Sequence, residues 1–193
     1  MTIEKTKPAQ SETVITKKGG KGMTHGAVSE LSAFLAVKPG HTEELRAGIE
    51  RFHARVRKAP FWALQKFGLT DMRHVIFDNG TRLLWITAFD TDCDPYIDDA
   101  VDVIGAESWK DWLQHTVEYT DSDGASHAAI KKFLQSGQVR ATGFFRTFPD
   151  MTVGETKKAS DLMKTFEQVL DQPGALEALQ QPVLKPLLDK AAG

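Results

Sequence analysis

The chain has 193 residues, of which 41% are hydrophobic and 26% charged, a composition typical of one globular domain with appendages. A net charge of −2 gives no field that would hold nucleic acid or an anionic membrane, and the lone Cys93 excludes an internal disulfide. With no spanning apolar run and no apolar segment of a secretory signal, the sequence predicts a cytoplasmic protein without nucleic-acid or membrane partners.

The first 28 residues contain a lysine–glycine run and almost no large apolar side chains. Such a segment buries too little apolar surface to offset its ordering entropy. Residues 1–28 are therefore predicted to form a disordered arm. From Ser29 to Val37 apolar side chains fall on both faces of an alternating pattern, which predicts a first strand that ends at Pro39-Gly40.

An amphipathic helix and then a hairpin follow this strand. The helix is predicted from apolar residues at helical spacing, and it stops at Pro60: Leu45, Ile49, Phe52 and Val56. Asn79-Gly80 separates two strand-like runs and predicts a two-residue type I′ turn. Both faces of the run from Leu83 to Phe89 are apolar, so we expect that helices cover one face and a second subunit covers the other.

The second half of the chain reads as helices, one strand and a helical extension. Asp94-Pro95 is predicted to open a helix, and Gly105 is predicted to break it. A second helical piece carries Trp109 and Trp112, and a short helix covers 126–134. Residues 139–147 are predicted to form the last strand. After residue 150, the Thr152–Glu155 capping box opens a C-terminal extension (151–193) that packs on the domain or on a partner.

The order of these elements is β-α-β-β-α-β. It predicts an α+β, ferredoxin-like domain over residues 29–150, with an antiparallel sheet, helices on one face and an extra C-terminal helix.

The segments Lys38–His41, Leu83–Asp90 and Gly143–Arg146 carry a family resemblance. The stretch from Ser29 to Thr147 resembles the dimeric α+β barrel superfamily, which includes antibiotic-biosynthesis-type monooxygenases, haem-degrading monooxygenases and chlorite-dismutase-like proteins. It is also similar to a bacterial group of this layout without an established activity. No catalytic signature is matched. The resemblance implies a homodimer with facing sheets and a small-molecule pocket between sheet and helices.

Haem is the cofactor that this resemblance implies. Haem-degrading members carry their axial histidine on the corresponding helix, so His115 is the candidate metal ligand, with Trp112 against the porphyrin. His127 is a second candidate. The alternative for both is an ordinary histidine on an amphipathic helix.

Further candidates lie on the predicted strands. His74 could orient or protonate a bound molecule, or serve cross-strand packing. Arg140 and Arg146 could pair with a substrate carboxylate or a haem propionate, or form an edge ion pair with Asp90 or Asp92. Trp85 could line an aromatic pocket, or belong to the core or the dimer interface.

These residues predict a small-molecule oxygenase or a haem-linked redox enzyme, with His74 and Arg146 as catalytic residues and His115, His127, Trp112, Trp85 and Arg140 at the cofactor. The alternative is a non-catalytic module that binds a small molecule or another protein.

Overall fold

The structure is a computed structural model that describes residues 22–124 and 126–191. Five strands in this part of the chain form one antiparallel sheet. Their bounds are β1 Thr24–His25, β2 Val28–Ala36, β3 Leu69–Phe77, β4 Arg82–Phe89 and β5 Gln138–Val139. The order across the sheet is β5-β2-β4-β3, with β1 paired to the first residues of β2. This is the ferredoxin-like arrangement that the element order predicts.

Helices cover one face of the sheet. They are α1 Thr42–Lys58, α2 Phe61–Lys66, α3 Cys93–Ile104, α4 Ala106–Leu113 and α5 His127–Ser136. Side chains alternate between the two faces of the sheet along β2 and along β4, so every second side chain faces these helices and contributes to the core. Leu31, Leu83 and Trp85 are fully buried there, whereas Phe34 on the other face is 44% exposed. We refer to that second side as the open sheet face.

Four local details differ from the sequence prediction. Strand structure begins at Thr24, inside the predicted arm, because β1 pairs with Val28 and Ser29 of β2. The part of the arm before Gly22 lies outside the described residues. The last strand is two residues long instead of running to Thr147, since beyond Val139 the chain leaves the edge of β2.

The other two differences concern a turn and a cap. Asp78 and Asn79 both have positive φ, and the N–H of Gly80 donates to the carbonyl of Phe77. The turn is therefore centred one residue earlier than predicted, within a four-residue loop between β3 and β4. Helix α3 has Asp92 as its N-cap, so Asp94 and Pro95 lie in its first turn.

Three helices follow the domain: α6 Val153–Leu170, α7 Ala175–Leu179 and α8 Lys185–Ala191. The predicted capping box of Thr152 and Glu155 is present at the start of α6. No residue of α6 is buried, and Leu162 is 67% exposed. Within residues 22–124 and 126–191, no helix combines the length and apolarity needed to cross a membrane.

Candidate functional site

Six aromatic and imidazole side chains pack together between the sheet and two helices. Ring centroids lie 4.8 Å apart for His74 and Trp112, 4.9 Å for Phe52 and Trp109, and 5.7 Å for Trp85 and Trp109. We call this group the aromatic–imidazole cluster: Phe52 and His53 of α1, His74 of β3, Trp85 of β4, and Trp109 and Trp112 of α4.

Local sequence explains how these side chains meet. His74 and Trp85 are cross-strand partners in the β3–β4 register, so both point to the helix-covered face. Trp109 and Trp112 are three residues apart and share one face of α4. Phe52 belongs to the apolar stripe of α1, and His53 lies at the edge of that stripe, four residues after Ile49.

The two histidines of the cluster form a hydrogen-bonded pair. His53 Nε2 and His74 Nδ1 are 2.9 Å apart, and the donor depends on the tautomer. Desolvation by burial, with a smaller contribution from the neighbouring His53, lowers the pKa of His74 to about 3. Burial and the nearby Arg57 also lower the pKa of His53. Both imidazoles are therefore neutral near pH 7, as a proton acceptor must be.

Three ring nitrogens of the cluster are buried without a hydrogen-bond partner among the described residues. They are His74 Nε2, Trp85 Nε1 and Trp112 Nε1. His74 as a residue is only half-buried, but its Nε2 is enclosed, whereas both tryptophans have no exposed surface. Buried polar atoms are paired in the great majority of cases, so three orphans in one cluster indicate a polar ligand or water.

A groove of about 650 Å³ runs along α1 and α4 beside the cluster and shares Phe52 with it. Phe52 lines this groove and also contacts His74, with ring centroids 5.7 Å apart. This phenyl ring therefore lies between the groove and the buried imidazole.

His115 lies outside the cluster. Its Nδ1 is 3.0 Å from Nδ1 of His41, which leaves Nε2 as the nitrogen for a ligand. Desolvation by burial lowers the pKa of His115, and His41 lowers it further. Trp112, three residues earlier, packs instead on His74 and Phe52. The contacts of Trp112 and of His115 are therefore with different partners, and they do not place the two side chains against one porphyrin as predicted.

The remaining predicted residues are dispersed. His127 begins α5, with its Nδ1 3.2 Å from a carboxylate oxygen of Asp102. Arg140 is exposed just after β5. The backbone N–H of Arg146 donates to Nδ1 of His25, which is on β1. Among the described residues, no three side chains of the His, Cys, Asp and Glu types are grouped closely enough to hold a metal ion.

Sequence reasoning found His74, Trp85 and Trp112 but did not identify His53 or the groove. The sequence indicated a role for His53 only weakly, through its position at the border between the apolar stripe of α1 and the hydrophilic side of that helix. No sequence pattern indicated the groove, since the groove depends on how α1 packs against α4.

Comparisons with known proteins give little further information. No family model matches the chain, and no curated protein matches it. A solved structure from Bordetella bronchiseptica, titled "Putative antibiotic biosynthesis monooxygenase", is similar, with 16% sequence identity and a TM-score of 0.37. The similarity covers 47% of this chain and 87% of that one. A likeness at this level carries no conclusion about the site.

Proposed function

We propose that this chain is a small-molecule oxygenase whose reaction centre is the aromatic–imidazole cluster. The observation that carries the proposal is the set of three orphaned ring nitrogens around His74. Two of them, on Trp85 and Trp112, are N–H donors only. When His74 Nδ1–H donates to His53, His74 Nε2 is an acceptor.

One acceptor and two donors match a substrate with an ionisable hydroxyl, such as a phenol or an enol. The hydroxyl donates a hydrogen bond to His74 Nε2, and its oxygen accepts hydrogen bonds from the indole N–H groups. Burial lowers the pKa of His74 in the free protein, so transfer of the proton requires the bound oxyanion, whose negative charge raises that pKa. An electron-rich phenolate or enolate is the kind of carbon nucleophile that reacts with dioxygen. His53 stabilises the imidazolium of His74 through the bond between the two rings.

Oxygen uptake tests this proposal. The purified protein is supplied with a panel of easily deprotonated phenols, and oxygen is followed with an electrode. We expect His74→Gln to reduce turnover by about 100-fold or more, since it removes the base. Trp112→Phe removes one donor, and its expected loss is about tenfold to 100-fold.

His127→Gln is the matched control, because His127 is exposed and outside the cluster. Circular dichroism establishes that each variant is folded. The proposal fails if the parent consumes no oxygen with any phenol of the panel, or if His74→Gln reacts as fast as the parent.

A haem-linked reaction is a second proposal, favoured by the contact of His41 with His115. A partner on Nδ1 orients an imidazole and raises its basicity, as is usual for a metal-ligating histidine. Trp112 packs on His74 and has no exposed surface, so it presents no free face to a porphyrin beside His115. Titration with haemin, read from the Soret band, is expected to give a complex that His115→Ala abolishes; binding that survives this change would contradict the assignment.

A further inference from the structure

The groove between α1 and α4 differs in charge from the protein as a whole. The chain has a net charge of −2, yet four basic side chains line the groove against two acidic ones: Arg51, Arg55, Lys58 and Lys110 against Glu107 and Asp111. Which of these charged side chains pair with one another determines how much positive charge the groove offers to a ligand.

Arg51 and Asp111 neutralise each other. The Arg51 guanidinium donates to both carboxylate oxygens of Asp111, at 2.7 and 2.8 Å. The Arg51 guanidinium also holds the pKa of Asp111 below its usual range. Three cations, Arg55, Lys58 and Lys110, then remain against the single carboxylate of Glu107.

Arg55 is positioned at the junction of α3 and α4. A Cβ at Gly105 would lie 3.2 Å from Arg55 Nη2, so the glycine leaves the space that the guanidinium occupies. Gly105 has a φ of 90° and precedes α4, whose first turn has no side-chain cap. Glu107 and Ser108 of that turn line the groove as well. The guanidinium and the positive end of α4 therefore face the same cavity.

Apolar residues line the groove as well as basic ones. They are Phe52 and Ala54. A cavity that combines apolar and basic lining residues suits a ligand with a ring or chain and one anionic group.

We propose that this groove binds a small organic oxyanion, a carboxylate or a phosphate monoester, with Arg55 as its principal partner and Lys58 and Lys110 beside it. A planar guanidinium matches both groups, since each presents two oxygens to its paired N–H donors. As a statement about the substrate, the inference rests on the proposed oxygenase function: the anionic end is held by Arg55 and the hydroxylated end approaches His74 past Phe52.

Binding is measured directly, without turnover, so that the two proposals fail separately. Benzoate and phenyl phosphate are titrated into the ¹⁵N-labelled full chain, and benzyl alcohol serves as the neutral probe of similar size. Amide resonances of Ser108 and Gln114 report on the groove. We expect benzoate or phenyl phosphate to shift them, the stronger of the two identifying the class, and benzyl alcohol to bind at least about fivefold more weakly.

Arg55→Gln is expected to weaken anion binding by about fivefold to tenfold. Arg57→Gln is the matched control, because Arg57 is an exposed cation of α1 that does not line the groove. Equal binding of benzyl alcohol, unchanged binding by Arg55→Gln, or no shift with either anion would each overturn the proposal. Anion binding without oxygen uptake would retain the site and discard the reaction.

Discussion

His74 is a titratable side chain whose ring lies in an apolar environment, and this environment opposes its protonation. An imidazole on a solvent-facing strand position would titrate near pH 6.5, but here it contacts Phe52, Trp112 and His53. The enclosure favours its neutral form, because a buried charge is poorly solvated. In the unfolded chain the same ring would be protonated at mildly acidic pH.

The stability of the fold should therefore fall as the pH is lowered from about 6.5 towards 3. Between these values the unfolded chain binds more protons than the native protein, so protonation favours unfolding. A folded pKa of about 3 for His74 corresponds to a loss of about 2 kcal/mol at pH 5. Thermal melts at pH 7 and pH 5 measure this loss.

His74→Phe keeps a ring in the cluster but cannot titrate, so its melting temperature should change less between pH 7 and pH 5. His127→Gln, which alters an exposed histidine, should follow the parent. If the melting temperature fell equally for His74→Phe and the parent between pH 7 and pH 5, another group would be responsible for the loss of stability in acid.

At the scale of elements, hydrogen bonds hold helix α6 at its beginning, and the rest of the helix packs little against the domain. Thr152 accepts from the N–H of Glu155, and the Glu155 carboxylate accepts from the N–H of Thr152. The N–H of Val153 donates to the carboxylate of Asp90, just after β4. Since no residue of α6 is buried, these caps contribute a large part of its local stability.

Thr152→Ala should accelerate amide exchange in the first turns of α6. Loss of an N-cap costs about 1 kcal/mol, which is roughly a fivefold change in local opening. Thr165→Ala, within the same helix, should leave exchange unchanged or slow it slightly, because alanine favours helix. Equal protection of residues 155–158 in Thr152→Ala and the parent would contradict the role of the cap. Hydrogen exchange read by NMR measures both.

The whole molecule leaves two apolar surfaces without a partner in the described chain. Phe34 and Val75 are 44% and 42% exposed on the open sheet face, and Leu162 and Met163 are 67% and 48% exposed on α6. Exposed apolar patches of this kind mark interaction sites. A homodimer through the open sheet face stays our proposal for the first surface, and a protein-interaction role is the alternative that the second surface favours.

The dimer should have twice the chain mass of 21.4 kDa in solution at micromolar concentration. Val75→Lys places a charge on the open sheet face, so we expect it to shift the equilibrium to monomer. Val183→Lys is the control, because Val183 is 83% exposed and lies between α7 and α8, outside the sheet. Light scattering distinguishes the outcomes, and a parent that is monomeric at every accessible concentration would exclude the dimer.

The order of elements could be predicted from sequence because it follows from local patterns. The stripe of α1, the alternation of β2 and β4, the break at Gly105 and the capping box of α6 each depend on residues close in the chain. Local signals were weaker at the edges of elements. The turn is centred on Asp78-Asn79, where both residues have positive φ. Strand β5 ends after Val139, because strand length depends on the pairing available from β2.

Only the tertiary structure decided which candidates form a site. His74, Trp85 and Trp112 are brought together by strand register and by the packing of α4, whereas His115 is turned towards His41. Arg55 and Lys110 lie 55 positions apart in the sequence, and only the contact of α1 with α4 puts them beside one groove. Periodicity assigns a side chain to a face, but contacts between distant residues depend on how whole elements pack, and that information is not local.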